Sequence, residues 1–543
     1  MDERDLRMNE YKKSIKGFIT NYRYMLPTLF TAVLSFGFFI TNSVISTDDT
    51  AFAVYMEDYE FIRQGRFGSL LIQQIFPVYE YTPFFVDFIS IVLLFVAALL
   101  FAALFKVVSK DKLHPFSYVL FSCLMMSYPL INEAFVYMCL VFTISLSFVL
   151  VAAALICIQS FFDTRKWYHL LISVLLLILA VSLYESFAAV YICGVFAILI
   201  IKFFYGDERD KTFKTVFLKG IVFLAVLAVA IVLEACIAKA FLYFMKLETS
   251  RISENALFWT LIGKRETLLQ LCRTSLVQIL FYSFWYPPIT VYVFSIGLAV
   301  LLSVISAVKQ KKVLIVLLFF GLVLSTVILS IVQGIASPAR TCQAYYIFTA
   351  FVIMLAVNFI LCMEKKIVLK KCVMAAACLL IFHQAHILHQ YFYLEYQRSV
   401  EERNIMSAVA DRLNEHYDMS KPVVFKGSVS LEITKDKRLR TSSDGFRLKL
   451  VKKIASVMGK EQLGKEVAGA KFVKTNVNST INWGKGAFGN QDQLYIYFRM
   501  VGYYFNEATP EMQKEADGYL SQMDEWPAKN SILETDEYII VNF

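Results

Sequence analysis

The sequence predicts a polytopic α-helical membrane protein with about eleven transmembrane helices and a small C-terminal α/β domain. Of its 543 residues, 58% are hydrophobic and 18% are charged, whereas soluble proteins carry about 25% charged residues. The mean hydropathy of +0.58 is too high for one soluble core, because such cores stop growing near about 250–300 residues. Apolar runs recur from Met25 to Phe392, and roughly 20 such residues span a bilayer.

Each predicted span is an apolar run bounded by charged or turn-forming residues, and the third and fifth runs are the shortest. Residues 1–24 carry charges throughout and lack the apolar stretch and cleavage site of a signal peptide, so we expect the first span to remain as an anchor. The predicted spans are 25–45, 84–105, 116–128, 135–158, 170–183, 187–201, 221–245, 289–308, 314–332, 345–362 and 373–391.

The distribution of basic residues predicts the orientation of these spans. With the N-terminus in the cytoplasm, the cytoplasmic segments carry 23 Lys and Arg residues and the outer loops before residue 393 carry eight. Because cytoplasmic loops are enriched in Lys and Arg, we expect a multi-pass protein of the cell membrane whose C-terminal domain lies outside. The formal net charge of +9 therefore reflects basic residues in the predicted cytoplasmic loops. No nucleic-acid partner is expected.

The chain divides into a transmembrane domain, residues 1–392, and an extracytoplasmic α/β domain, residues 393–543. The second part carries 21 basic and 21 acidic residues and is neutral overall. Periodicity within it predicts two helices and three strands. The helices are expected at Leu394–Tyr417 and Pro510–Met523, and the strands at Pro422–Phe425, Leu494–Arg499 and Tyr538–Val541.

Asp48 and Asp49 lie directly after the first predicted span, in the first outer loop. Two carboxylates at a membrane boundary are costly unless they are solvated or functional. One of them can act as a general base that takes a proton from an acceptor hydroxyl. The alternative is that they cap the helix that follows, because Asp stabilises helix N-termini.

Four further sites in the predicted outer segments carry candidate residues. Glu133 and the Tyr184-Glu185 pair are candidates for binding sugar hydroxyls, although each could also be a solvated turn. Arg66 and Arg340 are candidates for holding a phosphate, because a guanidinium makes charge-assisted, bidentate hydrogen bonds to it. Arg66 could instead meet lipid headgroups.

Several common chemistries lack support in the sequence. It has no Gly-rich phosphate loop, HExxH or GxSxG motif, which argues against ATP hydrolysis and the common hydrolases. The ten cysteines show no CxxC pair or metal spacing and are expected in apolar packing. No cofactor is implied, and a divalent metal stays possible without being required.

Taken together, these features resemble the serotype-converting glucosyltransferases, membrane enzymes that modify bacterial surface polysaccharides. The resemblance rests on Asp48-Asp49 after the first span, Gly65-Arg66, the Tyr184 turn, Pro338-Ala-Arg340 and the segment 421–427, Lys-Pro-Val-Val-Phe-Lys-Gly. This sequence has Glu185 where the family leads us to expect Gln after the tyrosine.

The resemblance implies a GT-C membrane glycosyltransferase in the bacterial plasma (inner) membrane. Its partners would be a polyprenyl-phosphate-linked sugar, a glycan acceptor and the lipid bilayer. Asp48 or Asp49 would be the general base for an inverting displacement, and Arg340 with Arg66 would stabilise the departing phosphate.

Two other classes of protein remain open from the residues alone. A polysaccharide polymerase or ligase also has many spans and outer arginines, but it would favour a large outer loop over a folded C-terminal domain. A lipid-linked-sugar flippase would favour inverted repeats and charges near the middle of the membrane. The leading prediction is the hexosyltransferase.

Overall fold

The structure is a computed structural model of the chain, and it describes most of the sequence. The described residues are 13–46, 49, 59–76, 82–249, 259, 263–277, 287–335, 337–364, 366–427, 453, 456 and 492–543. Asp48 lies outside them. The chain separates into two compact units. The first contains Met1–Thr41, Tyr59–Phe135 and Leu140–Gln390, and the second contains Asn42–Asp58, Val136–Cys139 and Tyr391–Phe543.

Fifteen helices precede the first strand in the described part of the chain. They are α1 (Tyr22–Thr41), α2 (Glu60–Arg63), α3 (Phe67–Ile75), α4 (Pro83–Val108), α5 (Pro115–Ser127), α6 (Asn132–Phe135), α7 (Met138–Thr164), α8 (Tyr168–Leu183), α9 (Phe187–Tyr205), α10 (Phe213–Met245), α11 (Lys264–Val277), α12 (Pro287–Gln310), α13 (Leu314–Gln333), α14 (Ala344–Leu361) and α15 (Ile367–His416).

Nine of the described helices are long and apolar enough to cross a membrane: α1, α4, α7, α9, α10, α12, α13, α14 and α15. The two remaining predicted spans correspond to α5, with 13 residues, and α8, with 16. A membrane crossing by either one therefore stays a prediction, as does the total of eleven. The helical fold and the membrane-length helices are confirmed.

Helix α5 is short and is almost completely buried among other helices. Nearly every residue from Ser117 to Ser127 is buried, and the helix packs against α1, α4 and α14. A helix of 10–14 apolar residues is typical of a buried core segment. The Ser117 hydroxyl and the His114 backbone N–H both donate to the side-chain oxygen of Asn358 on α14, which fixes the start of α5.

The C-terminal region of the second unit contains a three-stranded sheet. Strand β1 (Val423–Lys426) pairs in parallel with β3 (Ile539–Asn542), and β2 (Ile532–Glu534) pairs with β3 in antiparallel orientation, giving the order β1-β3-β2. Strands β1 and β3 agree with the predicted strands at 422–425 and 538–541, whereas β2 was not predicted. Helix α17 (Pro510–Glu515) begins where a helix was expected and is followed by two 3₁₀ turns.

One prediction for this region was wrong. The segment Leu494–Arg499 is part of helix α16 (Asp492–Met500), not a strand. Leu494, Tyr495 and Phe498 are all buried, and their spacing places them on one helical face. The helix expected from Leu394 to Tyr417 is confirmed as far as His416, and it forms the C-terminal part of the 50-residue α15.

Candidate functional site

In the first unit, Arg66 forms a bidentate ion pair with Glu185. Arg66 Nε donates to Glu185 Oε1 at 3.2 Å, and Nη2 donates to Oε2 at 3.2 Å. The guanidinium carbon also lies 4.8 Å from the centroid of the Tyr184 ring, which is a cation–π distance. The Arg66 side chain is 21% exposed and that of Glu185 is 49% exposed. The structure therefore brings together three of the residues predicted from the sequence.

The backbone around Arg66 explains how residues so far apart in sequence meet. Gly65 has φ of +86°, a left-handed conformation that favours glycine, and Arg66 follows as the N-cap of α3. Two residues later, Gly68 packs so closely against Ser182 of α8 that a Cβ atom there would overlap its side chain. Helix α8 then ends at Leu183, and Tyr184 continues in an extended conformation that leads directly to Glu185.

The turn that contains Glu185 is also linked to the Arg340 loop, through a residue that the sequence did not single out. The Ser186 hydroxyl donates to Gln343 Oε1 at 2.6 Å, and Gln343 Nε2 donates to the Arg340 carbonyl at 2.5 Å. Gln343 is fully buried, and Arg340 is half-buried on the 3₁₀ turn Ala339–Thr341. Gln343 thus couples the backbone of the Arg340 loop to the Tyr184-Glu185 turn.

Glu133 lies on the short helix α6, which packs against the same 3₁₀ turn. Burial raises the pKa of the Cys342 thiol, on the far side of that turn, to about 12, and the Glu133 charge adds to the rise. The neighbouring Asn132 is 1% exposed, and neither polar atom of its side-chain amide has a hydrogen-bond partner among the described residues. Glu133 is therefore placed next to the Arg340 loop.

In the second unit, Asp49 is held by backbone hydrogen bonds. The Ser46 N–H donates to Asp49 Oδ2 at 2.9 Å, and the Cys139 N–H donates to Oδ1 at 3.1 Å. The Asp49 N–H in turn donates to the Ser46 hydroxyl at 3.3 Å. This reciprocal pattern is that of a capping box. Asp49 is 6% exposed, and it ties the start of the Asp48-Asp49 loop to residue 139.

A buried charged triad on α15 holds the residue that precedes this capping pair. Arg398 Nε donates to Glu395 Oε2 at 3.0 Å, and Nη1 donates to Glu402 Oε2 at 2.6 Å. Arg398 Nη2 donates to the Ile45 carbonyl at 2.8 Å. All three charged residues are at most 2% exposed. Sequence reasoning missed this triad, although the i, i+3 and i+7 spacing of Glu395, Arg398 and Glu402 was a usable signal.

The described residues contain no group of three or more His, Cys, Asp or Glu side chains that could hold a metal ion.

Comparisons with known proteins place the candidate residues within one family. No curated protein and no solved structure matches the chain. The family model described as Glucosyl transferase GtrII matches residues 37–357, a range that includes every candidate site residue from Asp48 to Arg340. As this match covers more than half of the chain, the protein belongs to the GtrII glucosyl transferase family, the serotype-converting glucosyltransferases.

Proposed function

We propose that this protein transfers a hexose of the glucose type from a polyprenyl-phosphate donor to a surface polysaccharide or its lipid-linked precursor. The transfer takes place at the outer face of the plasma membrane, in a GT-C-type transmembrane catalytic domain formed by residues 1–392. Residues 393–543 form an extracytoplasmic domain. The family supports a glucosyltransferase, and the nine apolar helices found among the described residues support a membrane-embedded donor.

The fixed Arg66 guanidinium is the observation that carries the proposed donor. Glu185 and Tyr184 hold it in one orientation beside the start of α9, a helix long enough to cross a membrane. A guanidinium positioned in advance of binding is suited to a lipid-linked phosphate. Arg66, together with Arg340, stabilises the negative charge that develops on the departing phosphate.

Glu185 and Glu133 supply the contacts to the transferred sugar. Glu185 orients Arg66 and is nevertheless half exposed, so its carboxylate can also accept a hydrogen bond from a sugar hydroxyl. Glu133 is partly exposed beside the Arg340 loop. In the proposed donor site, these two carboxylates therefore bind the sugar, and Arg66 and Arg340 bind the phosphate.

The proposed chemical step is a single displacement. The acceptor hydroxyl oxygen attacks the anomeric carbon while the bond from that carbon to the phosphate oxygen breaks. The hydroxyl proton passes to an aspartate, and the electron pair of the broken bond leaves with the lipid phosphate. Attack from the side opposite to the leaving group inverts the anomeric configuration.

Of the two aspartates, we assign the base to Asp48 and a positioning role to Asp49. Each Asp49 oxygen accepts a backbone N–H, and these two bonds hold the buried carboxylate against the backbone. Asp49 holds its own carboxylate against the backbone at Ser46 and Cys139, and Asp48 is the residue before it in the sequence. Arg398 supports the Asp48-Asp49 loop through the Ile45 carbonyl, and it is a positioning residue as well.

Sugar incorporation into surface polysaccharide by cells that express single variants tests this assignment. Asp48→Asn should abolish incorporation, Asp49→Asn should reduce it together with protein abundance, and Arg66→Lys should reduce it at unchanged abundance. The anomeric configuration of the product, read by NMR, should be opposite to that of the donor. Full incorporation by Asp48→Asn, or a retained configuration, would refute the mechanism.

A further inference from the structure

A polar cavity of about 780 Å³ lies at the end of the first unit that is opposite to Arg66. Helix α9 joins the two ends, because it begins just after Glu185 and carries the cavity residue Lys202 near its C-terminus. The 15 residues between Phe187 and Lys202 correspond to about 22 Å along the helix. The cavity is therefore separate from the proposed donor site, and nothing in the proposed function uses it.

The walls of this cavity carry more positive than negative charge. Six basic and four acidic side chains line it. Three of the acids form ion pairs with lining lysines, in the pairs Lys106–Asp111, Lys110–Asp207 and Lys219–Asp210. The fourth, Asp163, accepts a hydrogen bond from Gln159. Among the described residues, the cations without a carboxylate within ion-pair distance are Lys13, Arg165 and Lys202.

Lys202 is the most unusual of these cations because it is buried. It is 8% exposed, and within the described structure its ammonium group makes no hydrogen bond or ion pair. It lies 5.4 Å from the Phe162 ring centroid, and Lys219 lies 5.8 Å from the same ring. Gln159, which also lines the cavity, is 3% exposed, and its side-chain oxygen has no hydrogen-bond partner in the part of the chain that the structure describes. The carboxylates of Asp163 and Asp210 act on this ammonium, but neither forms an ion pair with it. A buried ammonium without a direct ion pair is costly, and an anion in the cavity would offset this cost.

We propose that this cavity binds the phosphate group of an anionic lipid. The residues around it come from the ends of four membrane-length helices, α4, α7, α9 and α10, which is the depth of lipid phosphates. Lys202 contacts the phosphate directly, and Arg165 and Lys13 add charge at the rim. The basic loops at this end are those that the charge distribution assigns to the cytoplasm, so the ligand comes from the inner leaflet.

Thermal unfolding of the purified full-length protein in mixed micelles tests the proposal. One arm adds phosphatidylglycerol to neutral phosphatidylcholine micelles, and a second adds inorganic phosphate at constant ionic strength. The Tm should rise with phosphatidylglycerol until it saturates. In Lys202→Met, the half-saturating concentration should rise about tenfold or more, because a charge-assisted contact is lost. Lys214→Met removes an exposed lysine that does not line the cavity, and it should respond like the wild type.

Two features keep the test decisive. Lys202→Met should have a basal Tm at or above that of the wild type, since a buried charge without an ion pair is removed. If it fails to fold, Arg165→Met, which removes a cation at the rim of the same cavity, should raise the half-saturating lipid concentration instead. A Lys202-dependent response to inorganic phosphate as well as to lipid would assign the same phosphate site to a soluble ligand. No response to either anion, or equal responses of wild type and Lys202→Met, would overturn the proposal.

Discussion

Replacement of Arg398 by Met should destabilise the second unit and disturb the loop that carries the aspartates. The change leaves Glu395 and Glu402, which are 2% and 0% exposed, without their shared cation. Removing one partner from a buried ion pair costs about 3–5 kcal/mol, against a typical total stability of about 5–15 kcal/mol. For a domain of this size, the loss corresponds to a Tm lower by about 10 °C.

The same triad allows stability to be separated from positioning. In the triple variant Glu395→Gln, Arg398→Met, Glu402→Gln, none of the three charges of the triad remains, and replacement of a whole buried ionic cluster by neutral residues is often neutral or stabilising. The triple variant should therefore regain most of the lost Tm. It still lacks the hydrogen bond from Arg398 Nη2 to the Ile45 carbonyl, so sugar transfer should stay low.

The assay is thermal unfolding and sugar transfer on the same preparations of wild type, single variant and triple variant. The expected pattern is a low Tm and low kcat for Arg398→Met, and a recovered Tm with a low kcat for the triple variant. A conservative control, Arg398→Lys, should recover part of both. Wild-type kcat in the triple variant would refute the positioning role, and an unchanged Tm in Arg398→Met would refute the buried triad.

Three further predictions concern the candidate site. Asp48→Asn should lower kcat by about 10²–10⁴-fold, the usual contribution of general-base catalysis, and leave the Tm unchanged. Asp49→Asn should lower the Tm, because an amide nitrogen cannot accept a backbone N–H. Equal Tm losses in both variants would contradict the division of roles. Arg66→Lys should raise the KM for the lipid donor about tenfold, because lysine cannot keep the bidentate contact with Glu185 that orients the cation. Steady-state kinetics with an unchanged KM would count against a phosphate role for Arg66. Gln343→Ala should lower the free energy of unfolding by about 1–3 kcal/mol, because the buried Ser186 hydroxyl loses its acceptor. Denaturant unfolding measures this free energy, and a wild-type value would exclude the proposed link to the Arg340 loop.

The sequence predicted those parts of the fold that depend on local composition. Membrane-length apolar runs such as that of α9 were found because about 20 apolar residues suffice to identify a span. The short α5 could not be classified in this way, since its environment, not its composition, decides whether it crosses a membrane. Helix α16 was mistaken for a strand because Leu494–Arg499 is too short for its hydrophobic periodicity to separate the two structures.

The candidate site shows the same division between local and long-range information. Arg66, Tyr184 and Glu185 could be selected one by one, because each lies in a predicted outer segment beside apolar sequence. Their contact joins residues 119 positions apart, and a single sequence carries no signal for that pairing. The same holds for the hydrogen bonds from Cys139 to Asp49 and from Arg398 to Ile45, which join residues 90 and 353 positions apart.

The most direct test of the central claim is sugar transfer by the purified protein in liposomes. The donor is polyprenyl-phosphate glucose with a radioactive sugar, the acceptor is the surface polysaccharide precursor, and no nucleotide sugar is present. The wild type should transfer label to the acceptor, and Asp48→Asn, at the same Tm, should transfer none above background. Transfer that requires a nucleotide sugar, or equal transfer by Asp48→Asn, would contradict the proposed donor or the proposed base.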